Sequence, residues 1–216
     1  MRRLLRLFAG LALVQCGTNP TASPDGGSAM DAGPDVQTKG PLFQNAQRGD
    51  PEIGSAQQID FGPDGILVVG DGVKSRVVAI DTGDVDPKDA ATTAFAAIPD
   101  FRGKAAMALG GGVLGTDVQI VDFAVNPITK RLYVSVRRTS TSSWAIVKVQ
   151  GDGTLSLLDL SDVTFASVTY AQGASIVRDI GWSKNHVVLA ATKSGWTNST
   201  VVSIPTAAAT SRCECS

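Results

Sequence analysis

A segment of β-branched runs separated by turn residues occurs three times in this chain. The first copy, Gln58 to Thr82, reads QIDFGPDGILVVGDGVKSRVVAIDT and predicts three short strands. The second contains VDFAVNPITKRLYVSVRR and SWAIVKV; the third contains RDIGWSKNHVVLAATK and STVVSIP. The repeated aspartates Asp60, Asp122 and Asp179 recur at an interval of roughly 60 residues. One such unit cannot bury both of its faces, so the repeat predicts several sheets stacked together.

The spacing of the strands predicts an all-β fold, a partial β-propeller of about three four-stranded antiparallel blades. The domain should span residues 41–206, with blades near 56–83, 118–160 and 174–205. The second blade is the most complete, because Gly151-Asp152-Gly153 predicts a hairpin turn into a fourth strand from Thr154 to Leu160. The third has three strands, since PTAAATSRCECS has little β character. We therefore expect an incomplete array with open apolar faces and at least one unpaired edge.

A short helical insertion is predicted between blades one and two. Asp86 is a suitable N-cap, Pro87 suits the first helical position, and alanines follow. The segment from Arg102 to Leu109 adds a further helical turn before Gly110. As an insertion between blades, this region should lie on one rim of the array.

The N-terminus has the features of an export signal followed by a tether. Arg2, Arg3 and Arg6 precede a short apolar run that ends at Cys16, which resembles a bacterial lipoprotein signal. That resemblance implies a signal peptide over 1–15 and a lipid on Cys16, although Gln15 departs from the small residue that the pattern prefers. An ordinary secretory signal is the alternative.

Residues 16–40 lack aromatic residues and long aliphatic runs, and this composition predicts a disordered tether. The expected location is the cell envelope, lipid-anchored at the outer membrane or the cell surface. Residues 207–216 form a tail in which Cys213 and Cys215 could pair with each other or with another chain.

Charge and composition argue against several functional classes. The formal net charge is −1, and no basic block follows the signal, so a nucleic-acid surface is not expected. The fingerprint G-x-G-x-x-G at Gly110 to Gly115 precedes a strand and follows a helix, the reverse of the order that binds a dinucleotide. His186 is the only histidine and cannot build a multi-histidine metal site. The favoured interpretations are a flexible crossover for Gly110 to Gly115 and a turn residue for His186.

The strings DFGPDGILVVGD, VDFAVNPITKRLYVSV and RDI…SIP resemble uncharacterised secreted bacterial β-propeller proteins with repeats of the NHL or WD40 kind. The shared features are the turn FGPDG, an Asn-Pro turn and a strand that ends in SIP. The resemblance extends over roughly residues 39–205 and implies the propeller architecture. It supplies no catalytic residues, and such proteins continue with further blades.

Asp60, Asp122 and Asp179 are the candidate site residues. The first strand of each blade lies nearest the axis of a propeller, so the three carboxylates could meet there and bind calcium. Alternatively, each Asp could accept hydrogen bonds from neighbouring turn amides and hold its own blade. Repetition favours the structural interpretation, because every blade needs its turn held whereas a single site needs one metal.

Two classes of function remain from the sequence. The favoured one is an envelope-tethered binding or scaffold module for a protein, peptide or glycan ligand, without a cofactor. It would contact the membrane through its lipid anchor and could self-associate through open blade edges. The alternative is a metal-dependent propeller enzyme of the lactonase or lyase type, for which Asp60, Asp122, Asp179 and Asn126 are the only candidate ligands.

Overall fold

The strands of this chain form three separate antiparallel sheets. The computed structural model describes residues 45–87, 97–110, 112–170, 176–183, 186–192 and 199–206, all within one unit of the chain. The predicted signal peptide, tether and tail, with Cys16, Cys213 and Cys215, lie outside the described residues, as does most of the predicted helix start after Pro87.

Twelve strands and one α-helix occur among the described residues. The strands are β1 (Gln47–Gly49), β2 (Gln58–Phe61), β3 (Ile66–Asp71), β4 (Arg76–Asp81), β5 (Val118–Val125), β6 (Leu132–Arg138), β7 (Trp144–Val149), β8 (Leu155–Leu157), β9 (Val163–Thr169), β10 (Ile176–Ser183), β11 (His186–Thr192) and β12 (Ser199–Pro205). The helix α1 spans Phe101–Ala108. The expectation of a mostly β fold with a helical insertion is confirmed.

Each repeat forms one sheet, as the sequence predicted, but the first sheet recruits strands from elsewhere. The five-stranded sheet has the order β1-β9-β4-β3-β2, the four-stranded sheet β5-β6-β7-β8 and the three-stranded sheet β10-β11-β12. The fourth strand of the first sheet is β9, which follows the whole second repeat in the chain and pairs antiparallel with β4. None of the predicted blades included β9, because this strand lies between the second and third repeats in the sequence.

The five-stranded sheet lies between the other two and is buried on both faces. Alternate residues of β3 face opposite ways: Leu67 and Val69 pack with Tyr133 of the four-stranded sheet, whereas Ile66 and Val68 pack with the three-stranded sheet. This explains the unbroken apolar runs ILVV and VVAI, which a sheet buried on both faces requires. The ring of Phe61 meets that of Tyr133 edge-on, with centroids 4.9 Å apart.

The helix covers the outer face of the four-stranded sheet. Ala105 and Ala106 are buried against Val118, Val134 and the other valines on that face. Asp100 caps the helix by accepting a hydrogen bond from Gly103 N at 3.1 Å. The expectation that the insertion would lie on a rim is therefore wrong: small alanine side chains allow α1 to lie flat on the sheet.

Two glycines of the first repeat allow the three-stranded sheet to approach closely. A Cβ atom on Gly62 would stand 2.6 Å from Cδ2 of Trp182, and one on Gly70 would stand 2.7 Å from Cγ1 of Val177. Gly62 lies in the FGPDG turn, and what matters there is the space that its missing side chain leaves for Trp182, not its φ angle.

Within the described ranges, no helix has the length and apolar composition that crossing a bilayer requires.

Candidate functional site

The first strands of the three sheets lie side by side and carry the repeated aspartates. These inner strands are β2, β5 and β10, and β2 lies between the other two. Each is an edge strand of its sheet, so half of its backbone N–H and C=O groups point away from the ladder. These groups need partners other than a neighbouring strand.

The repeated aspartates supply such partners across the sheet boundaries. Asp122 Oδ2 accepts a hydrogen bond from Ile59 N at 2.8 Å, which joins β5 to β2. Asp60 Oδ2 accepts one from Trp182 N at 2.6 Å, which joins β2 to β10. Asp60 Oδ1 also accepts from Phe61 N at 2.8 Å. The structural interpretation predicted that each Asp would hold its own blade through neighbouring amides. Asp60 accepts one such local bond, and Asp60 and Asp122 also tie one sheet to the next.

These bonds run in one direction along the series of sheets. Asp122 of the four-stranded sheet accepts a hydrogen bond from the five-stranded sheet, and Asp60 of the five-stranded sheet accepts one from the three-stranded sheet. Asp179 of the three-stranded sheet is next in the series. Its carboxylate is exposed, and it accepts no hydrogen bond from the described residues.

The three carboxylates are close enough to influence each other electrostatically. Burial raises the pKa of Asp122, hydrogen bonds from Ile59 N and Phe123 N oppose that rise, and the negative charges of Asp179 and Asp60 add to it. Among the residues that the structure describes, no three acidic, histidine or cysteine side chains are arranged to hold a metal ion. The calcium site remains a prediction.

The fourth candidate ligand, Asn126, is buried and engaged elsewhere. Its Oδ1 accepts hydrogen bonds from Ile128 N and Thr129 N at 2.8 and 3.2 Å, and its Nδ2 donates to Asp84 O at 2.8 Å. Both ends of the side chain therefore hold the Asn-Pro turn and attach it to Asp84. No contact joins Asn126 to the repeated aspartates among the hydrogen bonds of the described segments.

Two buried aspartates that were not predicted as site residues each accept several hydrogen bonds and hold separate segments of the chain together. Asp84 accepts hydrogen bonds from Tyr133 Oη at 2.8 Å, Thr129 Oγ1 at 3.0 Å and Arg131. Burial, followed by the nearby Asp84 carboxylate, raises the pKa of Tyr133. The sequence signal was the alternation of the polar side chains Thr129, Arg131 and Tyr133, because residues two apart in an extended chain point the same way.

Asp71, the second of these aspartates, is fully buried at the end of β3. Its carboxylate accepts from Ser55 N at 2.9 Å, Gly54 N at 3.0 Å and Arg76 Nε at 3.1 Å. Arg76 also donates to Pro51 O, at 2.5 Å. Asp71 thus fastens the segment before β2 to the β3–β4 hairpin, a role that needs no ligand.

A line of exposed apolar side chains follows the inner strand β5. Ile120, Phe123 and Val125 are opposite Val136, Val134 and Leu132 of β6, so all three lie on the face that carries α1. All three are exposed, and we call them the β5 strip. The helix buries the rest of this face but leaves the strip open to solvent.

The surroundings of α1 contain shallow grooves. One groove, of about 440 Å³, is lined by Asp100, Arg102, Gly103, Leu114, Gly115 and Thr116. The Arg102 guanidinium donates to Val118 O at 2.7 Å and to Thr116 O at 3.1 Å, so it holds the loop rather than facing a ligand. His186 lies exposed at the start of β11, as expected of a turn residue.

Comparison of the chain with protein-family models, with curated proteins and with solved structures found no match. The function must therefore be argued from the residues themselves.

Proposed function

We propose that the three sheets are blades of a partial β-propeller that serves as a binding module on the cell envelope. Two features support the propeller arrangement: the sheets stack face to face, and their first strands lie side by side with repeated aspartates bridging them. The lipoprotein-type sequence before Cys16 supports the tethered location.

The observation that carries the binding function is the exposure of Phe123. The residue that follows the repeated Asp is Phe61, Phe123 or Ile180. Phe61 is 8% exposed and Ile180 is 6% exposed, because each packs against a neighbouring sheet. Phe123 is 65% exposed. An apolar position that two repeats bury and the third exposes is typical of a surface that another molecule covers.

The chemistry of the β5 strip favours an apolar segment of a protein or peptide as the ligand. Ile120 and Val125 offer aliphatic surface on either side of the Phe123 ring, without a charged residue on that face of β5. Glycan sites combine aromatic faces with polar groups that bind hydroxyls, and the strip itself offers no such groups. A glycan ligand therefore has less support than a peptide.

The binding proposal can be tested by selecting peptides from a displayed library on the full chain and measuring their affinity for two variants. Phe123→Ser should weaken binding at least about tenfold, since burial of an aromatic ring contributes about 2 kcal/mol. Val73→Ser is the matched control, because Val73 is equally exposed but lies in the β3–β4 turn. Equal affinity for both variants would contradict the proposal.

The metal-dependent enzyme remains the alternative proposal. A cation at Asp60, Asp122 and Asp179 would have to displace the amides of Ile59 and Trp182, which already hold two of the carboxylates. Calorimetric titration with calcium, followed by a lactone-hydrolysis screen, separates the two functions. Calcium binding that is lost in Asp179→Asn, together with hydrolysis, would favour the enzyme.

The envelope location is tested separately. Mass spectrometry of the membrane fraction should find an acylated N-terminus at Cys16. Unmodified protein in the soluble fraction would contradict lipid anchoring without affecting the proposed binding surface.

A further inference from the structure

The outer edges of the three sheets are protected to very different degrees. The five-stranded sheet ends in β1, which has three residues and carries Arg48, ion-paired with Asp162 at 2.8 Å. The four-stranded sheet ends in β8, which also has three residues. Short edge strands and charged side chains are the usual means of preventing unwanted strand pairing. Both of these edges therefore have at least one such protection.

The outer edge of the three-stranded sheet has neither of these protections, and its one proline, Pro205, is the last residue of the strand. It is β12, a strand of seven residues, Ser199–Pro205, with no charged side chain. One side of β12 pairs with β11, and no described strand pairs with the other side. In the other two sheets the corresponding third strand is followed by a fourth, β9 on β4 and β8 on β7.

We propose that β12 pairs antiparallel with β12 of a second copy of this chain. A two-fold axis through the edge would join the two three-stranded sheets into one six-stranded sheet. Because both edges are uncharged, no like charges would be brought together. The proposal specifies the self-association that the open edges suggested, and it does not depend on the β5 strip.

The side chains of β12 fit this arrangement on both faces. Val202 and Ile204 pack into the core between the three-stranded and five-stranded sheets, whereas Val201 lies on the opposite face and is 74% exposed. Antiparallel pairing would continue each face across the junction, since side chains alternate with a period of two. The residues after Thr206 are mainly Ala, Ser and Thr, which have less β character than a second copy of STVVSIP.

The first test is sedimentation velocity of the full chain in a mild detergent over a range of concentrations. The wild type should form a dimer, and Val201→Lys should weaken dimerisation at least about tenfold by placing a charge on the edge. Leu157→Lys is the control, because it introduces the same charge at the outer edge strand of the four-stranded sheet. Circular dichroism melts establish that both variants are folded.

Hydrogen exchange of the wild type provides a second test that needs no variant. Amide protection in residues 199–205 should rise with protein concentration, whereas protection in β1 and β8 should not. A monomer at every concentration, equal effects of the two lysine variants, or protection of β12 that is independent of concentration would overturn the proposal. The effect of Phe123→Ser on peptide binding tests the β5 strip alone and does not bear on the dimer proposal.

Discussion

Replacing Asp60 by Ala tests whether the repeated aspartates hold the sheets together. Asp60 accepts Trp182 N at 2.6 Å and Phe61 N at 2.8 Å, and both donors belong to inner edge strands. Alanine removes the acceptor from both. Loss of the bond to Trp182 N should cost more free energy than loss of the bond to Phe61 N, because it joins two sheets in a part-buried setting.

The size of the effect follows from the two hydrogen bonds. A hydrogen bond to a charged group contributes about 1.5–3 kcal/mol. Water can replace Asp60 as the acceptor for Phe61 N, so the loss of this local bond should lie at the lower end of that range. Removal of Asp60 also relieves its electrostatic repulsion of Asp122, which acts in the opposite direction. We expect Asp60→Ala to lower the free energy of unfolding by about 2–3 kcal/mol.

Urea unfolding followed by tryptophan fluorescence measures this loss. Asp179→Ala is the matched control: the same residue type at the repeated position, but exposed and without a hydrogen bond from the described residues, so its effect should stay within about 0.5 kcal/mol. Equal losses for the two variants in calcium-free buffer would refute the reasoning. A loss that appears only with calcium would indicate a shared metal site instead.

Three further predictions concern packing, a buried carboxylate and pH. Gly62→Ala should cost about 1–3 kcal/mol in a thermal melt by forcing Trp182 away, whereas Gly181→Ala, with open space at its Cβ, should cost far less. Asp84→Ala should cost about 3–5 kcal/mol in urea unfolding, because the buried hydroxyls of Thr129 and Tyr133 lose their acceptor and the ion pair with Arg131 is broken. Burial raises the pKa of Asp122, so the folded chain keeps that proton to higher pH than the unfolded chain does, and stability should fall as pH rises from about 4 through the raised pKa. Asp122→Asn should remove that fall in pH-dependent unfolding.

The strands of the repeats could be predicted because their local signals agree with the fold. The three strands predicted within Gln58 to Thr82 are β2, β3 and β4, and Gly151-Asp152-Gly153 does precede the fourth strand of its sheet. Alternation, β-branched residues and turn glycines are all encoded within a few residues of each other. Such signals do not depend on what lies across the sheet.

Long-range partners could not be predicted in the same way. The strand β9 joins β4 across the whole second repeat, and nothing in VTFASVT specifies that partner. The position of α1 on a sheet face likewise depends on Ala105 and Ala106 meeting valines from three strands, β5, β6 and β7. In both cases the deciding contacts join residues that are distant in the sequence.

The repeated aspartate shows why the site was predicted only in part. Equal spacing indicated that Asp60, Asp122 and Asp179 would be equivalent, and the inner strands do carry them side by side. Yet the three sheets form a series, and no described strand lies beyond β10 to donate a hydrogen bond to Asp179. The sequence repeats are alike, but Asp179 is exposed whereas Asp60 and Asp122 are bonded, because position in the series differs. The same reasoning applies to Phe123, because no described sheet covers its ring, whereas its counterpart Phe61 is buried. Phe123 therefore offers a binding surface that the equivalent position of the first repeat does not.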